Sequence, residues 1–62
     1  MKLYNVPRNT WVKSLELDSE GLVFFLEHID GMYSFCRDKE RNIQHYKAWM
    51  EVEILQEQTN AP

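Results

Sequence analysis

The stretch that decides the fold is residues 22–37, LVFFLEHIDGMYSFCR. It contains two runs rich in aromatic and β-branched residues, which are typical of β-strands, on either side of Asp30 and Gly31. An Asp-Gly pair between such runs is a strong hairpin signal, because both central residues of a type I′ turn need positive φ. The sequence therefore predicts an antiparallel hairpin that turns at Asp30 and Gly31.

A loop at these two residues would place Phe25 opposite Cys36, and strand alternation would divide the hairpin into two faces. We expect the first face to form the core, and it holds Phe24, Leu26, His28, Tyr33 and Phe35. The second face holds Val23, Phe25, Glu27, Ile29, Met32, Ser34 and Cys36. Both faces carry large apolar groups, so either a barrel coils around both of them, or the second face docks on a partner.

A further strand is predicted before the hairpin, at residues 10–17. This run contains Thr, Trp and Val, and its apolar side chains Trp11, Leu15 and Leu17 share one parity. A polar cluster that ends in glycine follows at residues 18–21 and predicts a turn.

Two short strands are predicted after the hairpin, at residues 43–46 and 51–55, beyond a charged loop at 38–42. Between them, residues 46–50 form either a single helical turn or a tight corner. One amphipathic helix over residues 42–58 is the competing interpretation. The alternation of apolar and polar residues from Met50 onward favours a strand instead.

Five short strands joined by tight turns predict an all-β fold, as a small five-stranded antiparallel barrel or a strongly curled sheet. The order of elements resembles Src-homology-3-like barrels, in which a one-turn corner precedes the last strand. The 62 residues form a single domain, with an ordered core over about residues 3–55 and a polar tail at 56–62. Residues 1–9 are expected to be an extended lead-in, because Pro7 keeps Val6 out of helical dihedrals.

Charge and cysteine content exclude several function classes. Seven Lys and Arg against ten Asp and Glu give a formal charge of −3, which argues against sequence-independent binding of nucleic acid. The single Cys36 excludes an intramolecular disulfide framework. No signal-peptide run is present, and the longest apolar run has five residues, so we expect a cytoplasmic protein without membrane contact.

Residues that could carry catalytic or metal chemistry are few. His28, His45, Cys36 and Asp30 match none of the spacings of paired metal ligands. Cys36 is predicted to lie in an apolar setting, which makes a thiol inert. We therefore expect no enzymatic activity, no metal and no cofactor.

One basic cluster offers an alternative function. Arg37, Lys39, Arg41 and Lys47, with nearby aromatic residues, could contact phosphates and stack on bases as a weak nucleic-acid-binding module. The simpler interpretation is a solvated hairpin loop, because acidic residues are interspersed among these cations.

Three segments together resemble short accessory proteins of tailed bacteriophages. They are Asn5-Val6-Pro7-Arg8-Asn9-Thr10, His28-Ile29-Asp30-Gly31-Met32-Tyr33-Ser34-Phe35-Cys36 and Ala48-Trp49-Met50-Glu51-Val52-Glu53, and they cover about half of the chain. The resemblance implies a viral protein made in the cytoplasm of a bacterial host. It implies no functional residues.

The function expected from the residues is that of a small non-enzymatic binding protein. Its partner would be a host or viral protein, or a second copy in a homo-oligomer, docked on an apolar sheet face. The anchors of this protein interaction would be Phe25, Ile29, Met32 and Trp49.

Overall fold

The computed structural model describes residues 1–55, so the predicted tail at 56–62 lies outside the described residues. Those 55 residues form five strands: β1 (Thr10–Ser14), β2 (Val23–Asp30), β3 (Tyr33–Arg37), β4 (Ile43–Gln44) and β5 (Val52–Ile54). All neighbouring strands are antiparallel, in one sheet of order β4-β3-β2-β1-β5. The all-β prediction is confirmed. The sheet is open and curled rather than closed. The favoured strands form after the hairpin, and the competing helix over 42–58 is absent from the described part of that range.

The hairpin between β2 and β3 turns one residue later than predicted. Asp30 is the last residue of β2 and pairs with Tyr33, so Gly31 and Met32 form the two-residue loop. Of these two, only Gly31 has a positive φ, of 65°. A type II′ turn needs glycine at its first central position, and this requirement explains the placement of the loop.

A β-bulge at Glu27 decides which side chains face the core. Leu26 pairs with Cys36, and His28 pairs with Phe35, so Glu27 is an extra residue in β2. An extra residue reverses the alternation of everything beyond it. Leu26 and Ile29 therefore face the same side of the sheet, although they are three residues apart.

The core forms on one face of the sheet. Of the hairpin side chains predicted for the core, those before the bulge are buried there and those beyond it are not. Phe24 and Leu26 are fully buried as predicted. His28, Tyr33 and Phe35 were expected in the core, but they lie on the opposite, exposed face. The rest of the buried apolar cluster consists of Leu3, Val6, Val12, Cys36, Met50 and Val52.

In β1, the side chains that face the core belong to the parity opposite to that of Trp11, Leu15 and Leu17. Val12 and Ser14 face the core, whereas Leu15 is exposed and Leu17 is 91% exposed. The strand ends at Ser14 instead of residue 17, and a 3-10 turn follows at Leu17–Ser19. Ser14 tolerates burial because its Oγ shares a 2.7 Å hydrogen bond with Ser19 Oγ and accepts the Glu16 N–H.

The first residues close the core instead of forming an extended lead-in. Leu3–Asn5 is a 3-10 turn, and Leu3 donates its N–H to the Met50 carbonyl at 2.9 Å. Val6 is buried and keeps the extended dihedrals that the following proline imposes. In a chain this short, side chains of the N-terminal segment cover the apolar face of the sheet, as helices do in larger domains.

The segment between β4 and β5 crosses one end of the sheet, and Ser34 holds it there. Ser34 N–H and Oγ both donate to the Tyr46 carbonyl, while Ser34 Oγ accepts the Tyr46 N–H at 3.0 Å and the Cys36 thiol at 3.1 Å. The chain then turns at Lys47, whose carbonyl accepts the Met50 N–H, so the tight corner rather than the helical turn forms at 46–50. Every hydrogen-bonding position of the buried Ser34 hydroxyl is used.

Replacing Ser34 with alanine should destabilise the fold by about 1–3 kcal/mol, because the partly buried Tyr46 N–H loses its acceptor. Thr10→Ala is the control, since the Thr10 hydroxyl also donates to a backbone carbonyl, but at an exposed position. We expect Thr10→Ala to stay within about 0.5 kcal/mol of the wild type. Urea unfolding measures both changes, and equal costs for the two variants would contradict this role of Ser34.

Candidate functional site

The face of the sheet opposite the core, called the outer face here, carries a row of large side chains. In register across four strands, Ile43 of β4 lies beside Arg37 of β3, then Phe25 of β2, then Trp11 of β1. Leu55 continues the row, since its N–H donates to the Trp11 carbonyl at 3.0 Å. Cross-strand neighbours on one face are in direct contact distance, so this row is a continuous surface.

A groove of about 700 Å³ lies along this row, and we call it the basic groove. Its floor is aromatic, with the rings of Trp11 and Phe25 tilted by 56° and their centroids 5.4 Å apart. The remaining lining residues are charged: Glu27, Arg37, Asp38, Lys39 and Arg41.

The guanidinium of Arg37 is held in place as a wall of the basic groove. Its Nε donates to Glu27 Oε2 at 3.0 Å, and its Nη1 donates to the Arg41 carbonyl at 3.1 Å. Glu27 is the bulge residue, so the irregularity that fixes the core also supplies the partner of Arg37. This ion pair is solvent-exposed, and it positions the side chain more than it stabilises the fold.

The loop at 38–42 is organised by the Asp38 carboxylate. Its Oδ1 accepts the N–H groups of Glu40 and Asn42, each at 2.9 Å, and its Oδ2 accepts the Gln44 side-chain amide at 3.3 Å. The N–H of Asn42 is the main cause that lowers the pKa of Asp38 below its ordinary value. Lys39 and Arg41 are therefore carried by a loop whose backbone is fixed by hydrogen bonds.

Three of the four predicted cations meet in the basic groove, and the fourth does not. Lys39 and Arg41 stand at its rim beside Arg37. Within residues 1–55, neither Lys39 nor Arg41 forms an ion pair. Lys47 instead binds Glu16 at 3.0 Å, beside the start of β5.

The four predicted apolar anchors are separated by the fold. Phe25 lies in the basic groove. Met32 is 62% exposed and Trp49 is 42% exposed. The hairpin loop that carries Met32 lies beside the corner that carries Trp49, because the Ala48 N–H donates to the Met32 carbonyl. Ile29 was expected on the exposed face, but the bulge turns it inward, and it packs against the core.

An aromatic strip on the outer face connects the hairpin loop with the basic groove. Tyr33, Phe35 and Arg37 alternate along β3 on this face. The Phe35 ring contacts His28 at 5.6 Å and His45 at 4.7 Å between centroids. The exposed face of the hairpin is thus largely aromatic.

Cys36 has no reactive character in this fold. Its side chain is buried opposite Leu26, and its thiol donates to Ser34 Oγ. Burial raises the pKa of the Cys36 thiol to about 11, so the sulfur stays protonated at neutral pH. Across residues 1–55, no three His, Cys, Asp or Glu side chains converge as metal ligands, and no helix has the length and apolarity to cross a bilayer.

Trp11 and Glu27 are the site residues that sequence reasoning missed. Trp11 was assigned to the parity of Leu15 and Leu17, with no link to the basic cluster. The signal for the bulge was present, because Glu27 and His28 are consecutive polar residues inside an apolar strand. Two exposed positions in succession are typical of an extra residue on one strand.

Comparisons of the chain with family models, with curated proteins and with solved structures give no match. The Src-homology-3-like relation and the bacteriophage resemblance therefore stay predictions.

Asp38 makes the order of this loop depend on pH. Its pKa is lower in the folded chain than in the unfolded one, so its stabilising effect is present above the ordinary value of 3.8 and is lost as the pH falls through the folded value. In thermal melts, the difference in Tm between the wild type and Asp38→Ala should be constant near neutral pH and shrink below about pH 4. Asp18→Ala is the control, because within residues 1–55 the Asp18 carboxylate accepts no hydrogen bond. A Tm difference for Asp38→Ala that is unchanged in acid would contradict this assignment.

Proposed function

We propose that the protein is a small non-enzymatic binding protein that docks another protein on its outer sheet face. The observation that supports this best is the aromatic outer face, where Tyr33 and Phe35 are exposed and Trp11 and Phe25 are half-buried although the core on the other side is filled. Contiguous exposed apolar surface on a small domain is characteristic of interaction sites. Aromatic and arginine side chains together are the groups that most often dominate binding energy.

The state of the nucleophilic side chains supports a role without catalysis. The Cys36 thiol is buried and has a raised pKa, and the Ser34 hydroxyl is fully occupied by structural hydrogen bonds. An activated nucleophile needs an accessible side chain and an adjacent base. Neither side chain meets these conditions.

The partner class follows from the resemblance of three segments to accessory proteins of tailed bacteriophages. On this proposal the protein acts in the cytoplasm of a bacterial host, where it binds a host or viral protein or a second copy of itself. An ordered loop and a rigid sheet would give such a surface a single presented shape, which lowers the entropy cost of binding.

Substitutions of Phe25 on the outer face and of Met32 in the hairpin loop should weaken partner binding without unfolding the protein. We expect tagged wild-type protein to retain a discrete partner from bacterial lysate, or to self-associate in sedimentation at micromolar concentration. Phe25→Ser and Met32→Glu should reduce this retention at least about tenfold, the effect of losing one anchor. Leu17→Ser should leave retention unchanged, since Leu17 is exposed in the 3-10 turn at Leu17–Ser19, outside the strands of the sheet.

Melting curves of all three variants identify any loss that is due to unfolding. A monomer that retains nothing, or a partner retained equally by Phe25→Ser and Leu17→Ser, would overturn the proposal.

A second candidate function is binding of single-stranded nucleic acid, favoured by the meeting of Arg37, Lys39 and Arg41 over the rings of Trp11 and Phe25. Stacked bases and cation-bound phosphates use such a combination. Three phosphate contacts would give a slope of about −2 for log affinity against log salt. The charge of −3 opposes this binding.

Fluorescence anisotropy with labelled oligothymidylate tests the second candidate. Binding should weaken in Lys39→Gln and stay unchanged in Lys47→Gln, because the Lys47 ammonium is paired with Glu16 away from the groove. The absence of a complex at low salt would end it.

A further inference from the structure

We propose that the basic groove binds an acidic segment of a partner protein, one that presents a carboxylate next to an aromatic or large apolar side chain. This inference rests on the proposed protein-binding function and adds the chemistry of the partner. It follows from the floor of the groove, from the cations at its rim and from the backbone of the loop that carries them.

The floor of the basic groove fits an apolar side chain. Trp11 and Phe25 form a tilted aromatic pair at the bottom of an open groove of about 700 Å³, so a side chain of a bound segment can pack on their rings. Aromatic side chains prefer edge-to-face or offset contacts, which the rings of Trp11 and Phe25 can offer to a bound aromatic group.

The cations at the rim of the groove favour a negatively charged ligand. Lys2, Lys13, Arg37 and Lys47 each pair with a glutamate at 3.0 Å. The cations without an ion pair within residues 1–55 are Arg8, Lys39 and Arg41. Two of these three flank the groove, and its charged lining of three cations and two carboxylates has a net charge of +1 in a chain whose formal charge is −3.

The backbone of Arg41 lies in the left-handed region, which favours glycine. Arg41 has a φ of 71°, and its N–H donates to the Asp38 carbonyl across the turn. A turn followed by a left-handed residue is the hairpin loop in which glycine is the standard residue at that position. An arginine there costs about 1–2 kcal/mol in backbone energy relative to an unstrained conformation. A side chain that only solubilises a loop could stand at a neighbouring position without this strain.

A short acidic segment fits the groove better than a polyanion. Glu27 and Asp38 belong to the lining, and Glu40 adjoins it, so the region of positive potential is small. The phosphates of a longer strand would extend over a surface whose chain carries a charge of −3. A single carboxylate needs only Lys39 and Arg41, through charge-assisted hydrogen bonds.

The test uses Trp11 as the reporter of groove occupancy. The chain has two tryptophans, so Trp49→Phe leaves Trp11 as the single one, in the floor of the groove. The probes are acetyl-Asp-Phe-Asp-Leu-amide, its isosteric Asn-Phe-Asn-Leu form and oligothymidylate. The acidic peptide should change Trp11 fluorescence with at least about tenfold higher affinity than the amide form, as expected for loss of a charge-assisted contact.

Arg41→Gly, made in the Trp49→Phe background, separates a binding role from a structural one. It should raise the Tm, because glycine relieves the strain at φ 71°, and it should weaken the acidic peptide about tenfold. Lys47→Gln in the same background is the matched control and should leave peptide affinity unchanged. A loss of binding by a variant that is more stable than its parent cannot be caused by misfolding.

Equal affinity for the acidic and amide peptides, or unchanged affinity in Arg41→Gly, would overturn this inference. Tighter binding of oligothymidylate than of the acidic peptide would assign the groove to nucleic acid instead. A dimer that Arg41→Gly dissociates would assign it to a second copy of the chain. If the peptide fails while lysate retention still depends on Phe25, only the acidic occupant is refuted, whereas failure of both refutes the proposed function.

Discussion

The extra residue in β2 is the constraint on which this structure depends. With Glu27 outside the regular pairing, Leu26 and Ile29 both face the core, although strict alternation would place them on opposite sides. Without the bulge, one of these two apolar side chains would face water. The same residue directs its carboxylate to the guanidinium of Arg37, so one irregularity determines both the core and a wall of the basic groove.

The core is closed by irregular segments that take the place of a second layer. The N-terminal turn contributes Leu3 and Val6, and the crossover between β4 and β5 contributes Met50 and the ring of Tyr46, which lies 4.4 Å from the Phe24 ring. Irregular backbone can be buried only when its polar groups are satisfied, and Ser34 does this for Tyr46. Because these segments cover one face, the other face of the sheet is left with its aromatic side chains accessible.

The sequence predicts the strands of this fold well and the orientation of their side chains poorly. Composition and turn residues locate all five strands, because both are local signals. The exposure of Tyr33 and Phe35 depends on a bulge that lies three pairs from Tyr33 and one pair from Phe35. The burial of Ser14 and Ser34 depends on partners that other segments supply. Hydrophobicity alone reverses such positions, since it assigns aromatic residues to the core and serines to the surface.

The candidate site shows the same division between local and long-range information. Arg37, Lys39 and Arg41 were recognisable as a group because one hairpin loop carries them, whereas the participation of Trp11 requires the pairing of β1 with β2. Lys47 was grouped with them on sequence distance alone, and the crossover carries it away to Glu16.

The loop combines an anchor and a strained residue within a few positions, and the two have opposite effects on stability. Asp38 fixes the backbone through two N–H groups, which compensates for the left-handed conformation of Arg41. A loop that served the fold alone would gain stability from glycine at that position. Strained backbone conformations cluster at ligand clamps and switch regions, and this tendency is one reason for including Arg41 in the proposed site. On the role proposed for the basic groove, the stability of the hairpin and the charge of the groove oppose each other at Arg41.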